Sequence, residues 1–164
     1  MTTSPPRRPT EADIALLAYA QQAELAARDL YRAALENGSA GDQPGSVAAI
    51  AAHHDAASQS ISSMIGRNAP QERLETLFTS YKPSFSGAAF ATSAHQLENT
   101  LVATHPALLE SLEGTEGAAL VASVMIAEAR HVVALAALAG LSPASDTDAY
   151  LTIPADIVAL SPEA

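Results

Sequence analysis

Apolar residues recur every three or four positions in four long stretches of the chain, which is the spacing of an amphipathic α-helix. The stretches cover residues 10–36, 46–66, 86–113 and 117–139. Thr10 and Asp13 form a capping pattern before the first stretch, and Gly66 and Gly140 stop the second and fourth. The pattern predicts an all-α chain whose helices each turn an apolar face toward a common core.

The segments between and around these helices differ in length and character. Residues 37–45 form a short turn, whereas the stretch from 67 to about 86 is long for a helix–helix connection and is predicted to contain a short helix over 70–79. A connection of that length allows the third helix to start at the opposite end of the bundle, as a crossover. Residues 1–9 are predicted to be a disordered arm. Residues 142–164 are predicted to be an irregular tail that packs on the bundle.

Within the third helix we expect Pro106 to break or kink the chain after Thr104, because proline removes a backbone donor. We expect Ser46 to cap the second helix.

A second regularity relates the two halves of the chain. Adding 74 to a residue number carries Glu24 to Glu98 and His54 to Glu128; the same offset pairs Tyr31 with His105, Ala57 with His131 and Gly66 with Gly140. Glu24, His54, Glu98 and Glu128 all lie on the apolar faces of their helices. The chain is therefore predicted to fold as a four-helix bundle of two related helix hairpins.

The composition supports one helical domain. The chain has 164 residues, of which 48% are hydrophobic but only 4% aromatic, and it has no cysteine, which excludes disulfides and thiolate metal sites. Its formal charge of −10 argues against nucleic acid and anionic membranes as partners. No uninterrupted apolar run approaches the roughly 20 residues of a membrane span. The Arg7-Arg8 pair lacks the apolar segment of an export signal, so we expect a cytoplasmic protein.

Polar side chains interrupt the apolar face of every long helix. Glu24, His54 and Glu98 lie in the first three helices, and the segment EARH places Glu128 and His131 on one face of the fourth. A buried carboxylate is costly unless another group neutralises it, and a metal ion is one such group. These five residues are therefore the candidate metal ligands.

Three segments resemble ferritin-like domain proteins. They are LLAYAQQAELAARDLY in the first helix, HQLENTLVATHPALL in the third and VASVMIAEARHVVALAALAG in the fourth, and the resemblance extends over about residues 10–141. It implies a ferritin-like four-helix bundle. In complete di-iron members, helices one and three each supply a Glu, and helices two and four each supply Glu-x-x-His. Glu24 and Glu98 match the single glutamates, while Glu128 and His131 match the second Glu-x-x-His.

The second helix departs from that pattern. His54 stands at the position of the bridging glutamate and Ala57 at the position of the histidine. An imidazole cannot bridge two ions as a carboxylate does, and alanine offers no ligand atom. The resemblance therefore implies a degenerate site for one Fe, Mn or Zn ion per chain, or for none. Its ligands would be Glu98, Glu128 and His131, joined by Glu24 and His54.

Each candidate also has a purely structural interpretation. Glu98 and Glu128 fit protonated or hydrogen-bonded core acids that remain from an ancestral site. Glu24 fits an ion pair with Arg28 or with a histidine across the core, and His54 fits a core histidine satisfied by such a partner.

Other polar residues near these positions receive structural interpretations alone. We expect the Tyr31 hydroxyl to donate to a core carboxylate and His53 to be exposed. His105 is interpreted as a helix-end histidine and His95 as a flanking one.

Two functions are compatible with the sequence. The first is a metal-binding ferritin-like protein with weak oxidase or peroxide chemistry, although the sequence does not decide whether it is an enzyme. The alternative is a metal-free bundle that acts as a non-catalytic protein- or ligand-binding module, which the damaged second helix and the apolar tail favour. A homodimer is expected by analogy with other bundles.

Overall fold

The computed structural model describes residues 4–162, and every regular element in that range is helical. The α-helices are α1 (Glu11–Glu36), α2 (Pro44–Ile65), α3 (Glu75–Tyr81), α4 (Phe90–Ser111), α5 (Thr115–Leu138) and α6 (Asp148–Leu151). α1 packs on α2 and α4 packs on α5, so the four long helices form two hairpins. This confirms the predicted all-α bundle. The first three residues of the predicted arm and the last two of the predicted tail lie outside the described range.

The start of α1 is fixed to the turn between α4 and α5. Thr10 and Asp13 form the predicted capping box, in which each side chain accepts a hydrogen bond from the backbone of the other. The Asp13 carboxylate also accepts from the backbone N–H groups of Glu113 and Gly114, both at 2.8 Å. One buried carboxylate therefore caps a helix and joins the two hairpins.

The connection between the hairpins runs along the length of α1. Leu74 donates its backbone N–H to the carbonyl of Gln22 in the first half of α1 (2.9 Å). Asn37, directly after α1, donates its side-chain amide to the carbonyl of Phe85 (3.2 Å). α4 therefore begins beside the end of α1, which is the crossover that the long connection predicts.

Three local predictions differ from the structure. α2 begins at Pro44 rather than with a Ser46 cap, because proline is well suited to the first turn of a helix. The short helix of the crossover lies at Glu75–Tyr81, later than predicted. Pro106 does not end α4, which continues to Ser111. Pro106 has no N–H to donate to the carbonyl one helical turn earlier. Because Pro106 is exposed, that carbonyl lies near the surface, and buried residues on both sides of Pro106 hold the helix in place.

Segments at both ends of the described chain contact the bundle. The backbone carbonyls of residues 6–7 accept hydrogen bonds from the first turn of α5. Near the other end, Leu160 donates its backbone N–H to Thr104 Oγ1 (2.8 Å) and packs against the core. Not every apolar residue of the tail docks, since Leu151 and Val158 are 75% and 79% exposed.

Within residues 4–162, α5 alone has the length and composition of a membrane span, with a mean hydropathy of 1.6 over 18 residues. Core helices of soluble proteins meet the same criterion, so this is weak evidence for a membrane. The expectation that the chain contacts no membrane stays a prediction.

The apolar core consists of two clusters separated by a polar layer. One cluster contains Leu30, Leu97 and Leu135, and the other contains Leu17 and Ile61. The glutamates and histidines of the long helices lie between them along the bundle, so apolar side chains cover the polar layer from both ends.

Candidate metal centre

All five predicted ligands converge in this polar layer. The exposed fraction of each is 5% or less. Two further buried residues, Tyr31 and His105, lie in the same layer. Every long helix contributes to it: Glu24 and Tyr31 come from α1, His54 from α2, Glu98 and His105 from α4, and Glu128 and His131 from α5.

His54 lies between two glutamates and bonds to both. Its Nδ1–H donates to Glu24 Oε2 (2.8 Å) and its Nε2–H donates to Glu98 Oε1 (3.0 Å). Burial lowers the pKa of His54, but the carboxylates of Glu98 and Glu24 outweigh this effect and raise the pKa well above its usual value. His54 is therefore a buried imidazolium. Of the two partners that the sequence left open for Glu24, the histidine across the core is the correct one, since Arg28 instead pairs with Asp29 and Asp55.

Both oxygens of Glu98 are occupied by donors. Tyr31 donates its hydroxyl to Oε1 (2.5 Å), as predicted, and shares that oxygen with His54. His131 donates its Nδ1–H to Oε2 (3.0 Å). Burial raises the pKa of Glu98, but the charge of His54 and the bond from His131 lower it far below its usual value. Glu98 is thus an ionised carboxylate with a complete set of partners.

Glu128 has the opposite environment. Neither of its oxygens has a hydrogen-bond partner among the described residues, and Glu24 Oε1 also lacks one. Burial raises the pKa of Glu128 well above its usual value, and the charges of Glu24 and Glu98 raise it further. Glu128 is therefore protonated in the metal-free chain. A proton shared with Glu24 is the one bond available between them, and it leaves another Glu128 oxygen without a donor.

His105 lies in the polar layer rather than at a helix end, so the sequence interpretation of this residue is wrong. Its Nδ1–H donates to the backbone carbonyl of Leu101 (2.7 Å). Nδ1 also lies 2.8 Å from Glu128 Oε2, but the hydrogen points to the carbonyl; Nε2 lies 3.8 Å from Glu24 Oε1. The signal was present in the sequence, because His105 follows Glu98 by seven residues, as Tyr31 follows Glu24. Seven residues are two helical turns and return to the same face.

His53 is exposed, as expected, but it also contacts the site. Its Nδ1 lies 2.8 Å from His131 Nε2, and the two rings stack with their centroids 5.1 Å apart. Since His131 donates through Nδ1 to Glu98, its Nε2 is the acceptor for the His53 N–H. Both nitrogens of His131 are therefore in use.

The described residues contain two groups of three ligand atoms that lie within 4.8 Å of one another. We call His54, Glu98 and His131 the upper triad, and Glu24, His105 and Glu128 the lower triad. All six residues are buried. Each triad contains both imidazole nitrogen and carboxylate oxygen, the ligands that suit iron, manganese and zinc.

Comparison with known proteins identifies the family. A sequence model of the ferritin-like domain family matches residues 12–141, which is most of the chain. The chain belongs to the ferritin-like domain family. No curated protein and no solved structure gives a match. The resemblance found in the sequence is thereby confirmed, and it covers the same residues that form the bundle and its polar layer.

A complete two-metal centre does not fit this ferritin-like chain. His54 occupies the bridging position as a cation bonded to two glutamates, and Ala57 leaves the neighbouring ligand position empty of donor atoms. A single ion fits better, because Glu128 and Glu24 retain carboxylate oxygens that no donor satisfies.

A cavity of about 280 Å³ leads from the surface to this layer between α2 and α5. Ala57 and Ala127 line it, and exposed Arg130 lies at its rim. Glu24 and Glu128 also line the cavity, so only a small movement of side chains separates it from the unsatisfied oxygens, which are themselves buried.

Proposed function

We propose that this ferritin-like protein binds a single transition-metal ion among the glutamates and histidines of its polar layer. The observation that supports it best is Glu128, a fully buried acid that has no hydrogen-bond donor on either oxygen apart from a proton shared with Glu24. Leaving a buried polar group unsatisfied costs about 1–3 kcal/mol. A bound cation replaces the proton of Glu128 and removes that cost. It also offsets the repulsion between the two carboxylates of Glu128 and Glu24 that the loss of the proton creates.

The donor set indicates which ions are candidates. Carboxylate oxygen and imidazole nitrogen suit Fe(II), Mn(II) and Zn(II), and they do not distinguish among these ions. Iron or manganese would supply redox chemistry when bound, including weak oxidase or peroxide reactions.

The chain's own residues prepare the site for such an ion. The two apolar clusters exclude water from the ends of the layer. His54 offsets part of the charge of the neighbouring carboxylates, and Tyr31 and His131 hold Glu98 in place. The cavity beside Ala57 leaves room for a small exogenous molecule.

Metal content of the purified protein tests this proposal. Protein prepared without chelator or metal-affinity resin is loaded anaerobically with Fe(II), desalted and assayed by elemental analysis. We expect about one ion per chain, and loss of that ion in Glu128→Ala. Glu110→Ala, which removes an exposed acid of α4, is the matched control and should keep the ion. Metal at background in the wild-type protein contradicts the proposal.

The second candidate function is a metal-free binding module, and the His54 imidazolium favours it. This internal cation already offsets one of the two negative charges of Glu24 and Glu98 without any ion. Under this alternative Glu128 stays protonated, and no loading condition yields bound metal. The same elemental analysis therefore discriminates the two functions.

A further inference from the structure

We infer that the ion is held by the lower triad of Glu24, His105 and Glu128, a set in which a histidine of α4 provides the nitrogen ligand. This inference rests on the proposed function and specifies where the ion lies. The family-based expectation was Glu98, Glu128 and His131, joined by Glu24 and His54. The lower triad keeps Glu24 and Glu128 from that set, leaves out the other three and adds His105.

The first argument is the supply of free oxygen atoms. Apart from a proton that they share, Glu24 Oε1 and both oxygens of Glu128 have no hydrogen-bond donor, although the two side chains are no more than 1% exposed. Glu128 Oε2 lies 2.8 Å from His105 Nδ1, whose hydrogen points to the Leu101 carbonyl. The second oxygen of Glu24 accepts from His54 Nδ1 (2.8 Å), and this bond fixes the orientation of the carboxylate. Unpartnered acceptors at this depth are rare, and each one requires a proton, a water molecule or a cation.

The second argument is the tautomer of His105. Its Nδ1–H donates to the Leu101 carbonyl at 2.7 Å, so the lone pair of the neutral ring lies on Nε2. Histidine ligands of metals characteristically donate their other ring N–H to a backbone carbonyl or carboxylate, which fixes the ring.

The third argument is the distance between the free ligand atoms. His105 Nε2 and Glu24 Oε1 are 3.8 Å apart. Bonds to a transition-metal ion measure about 2.0–2.2 Å for these atoms, so one ion can reach both without rearrangement of the helices.

The upper triad lacks free ligand atoms by the same criteria. Both nitrogens of His54 bond to glutamates, and both oxygens of Glu98 accept hydrogen bonds. His131 donates through Nδ1 to Glu98 and accepts through Nε2 from His53. An ion at that position would have to displace several buried hydrogen bonds, including both bonds of His54. At the lower triad, no nitrogen or hydroxyl donor occupies Glu24 Oε1 or the oxygens of Glu128.

Zinc binding to two matched histidine variants tests this assignment. Zn²⁺ is a sensitive probe because it binds nitrogen and oxygen ligands tightly and needs no anaerobic handling. We expect His105→Ala to lower zinc affinity in titration calorimetry by more than about 100-fold, beyond the range typical of a residue that only orients a ligand. His131→Ala should change affinity by about 10-fold or less, because it alters only a neighbour of the site. Circular dichroism checks that each variant is folded.

A measurement on the wild-type protein avoids the risk that a variant fails to fold. The chain has five histidines, whose ring nitrogens are resolved by ¹⁵N NMR after assignment. On addition of Zn²⁺, we expect the Nε2 resonance of His105 to move most, with His131 nearly unchanged.

The outcomes separate the two proposals. If the wild-type protein binds no zinc and no iron, the proposed function fails. If zinc binds but His131→Ala removes it and His105→Ala does not, the protein binds metal but the assignment to the lower triad is wrong. Equal losses in both variants, or NMR shifts centred on His131, also overturn the assignment.

Discussion

The two fully buried glutamates of the second hairpin should respond in opposite ways to the same substitution. Glu98 has donors on both oxygens, whereas Glu128 has none. Methionine has a similar volume to glutamate but no polar oxygen, so it removes the acid without leaving a large cavity. We compare Glu98→Met with Glu128→Met in the metal-free protein.

The structure sets the size of each effect. Glu128→Met removes an unsatisfied buried acid and should stabilise the fold by about 1–3 kcal/mol. A change of 1 kcal/mol moves Tm by about 2–4 °C in a chain of this size, so Tm should rise by roughly 2–12 °C. Glu98→Met leaves the His54 imidazolium and the Tyr31 hydroxyl without that carboxylate. Removing one partner of a buried ion pair costs about 3–5 kcal/mol, so Tm should fall by roughly 6–20 °C.

Thermal unfolding followed by far-UV circular dichroism measures both effects. The buffer contains a chelator, because bound metal would stabilise the wild-type protein and reverse the comparison. In metal-loaded samples without chelator, the bound ion should stabilise the wild-type protein but not Glu128→Met, so the difference in Tm should shrink or reverse. If Glu128→Met destabilises the metal-free fold as much as Glu98→Met does, Glu128 has structural partners and the reasoning is refuted.

Three further predictions concern pH, the lost ligands and packing. Burial opposes both shifts, yet the pKa of Glu98 is lowered from 4.5 and that of His54 is raised from 6.5. Stability from Glu98 is lost as the pH falls below 4.5, and stability from His54 is lost as the pH rises above 6.5. A series of Tm values for the metal-free protein should therefore peak between pH 4.5 and 6.5; a peak outside this interval contradicts the charge assignment. His54→Glu combined with Ala57→His should raise bound iron above one ion per chain, and elemental analysis that shows no increase counts against the assigned register of α2. Gly114→Ala should destabilise the fold by about 1–3 kcal/mol in urea unfolding, because a Cβ there would lie 2.7 Å from a backbone carbonyl oxygen. The control Gly45→Ala has open space and should leave stability unchanged or higher.

Much of the fold follows from helical periodicity. The apolar spacing predicts the four long helices, which the structure contains. The internal repeat, in which an offset of 74 relates the two hairpins, stays a prediction. Periodicity does not predict local packing. Local packing determines where α2 starts and why α4 continues through Pro106. Cytoplasmic location and homodimer formation stay predictions.

The sequence predicts five residues of the polar layer but not how they bond, and their role as metal ligands stays a prediction. The sequence places Glu24, His54, Glu98, Glu128 and His131 on core faces, and the structure brings all five together. Which atoms remain free depends on hydrogen-bond directions across four helices, and no spacing rule specifies these. His105 is a different case, because its seven-residue separation from Glu98 already places it on the same face, and its interpretation as a helix-end residue overlooked that spacing.

The location of a bound ion tests the central claim most directly. Crystals grown with Zn²⁺ and measured at the zinc absorption edge give an anomalous difference map that locates the ion. The account predicts one peak per chain, about 2.0–2.2 Å from His105 Nε2 and from carboxylate oxygens of Glu24 and Glu128. A peak beside Glu98 and His131, two peaks in one chain, or no peak at saturating zinc would contradict it.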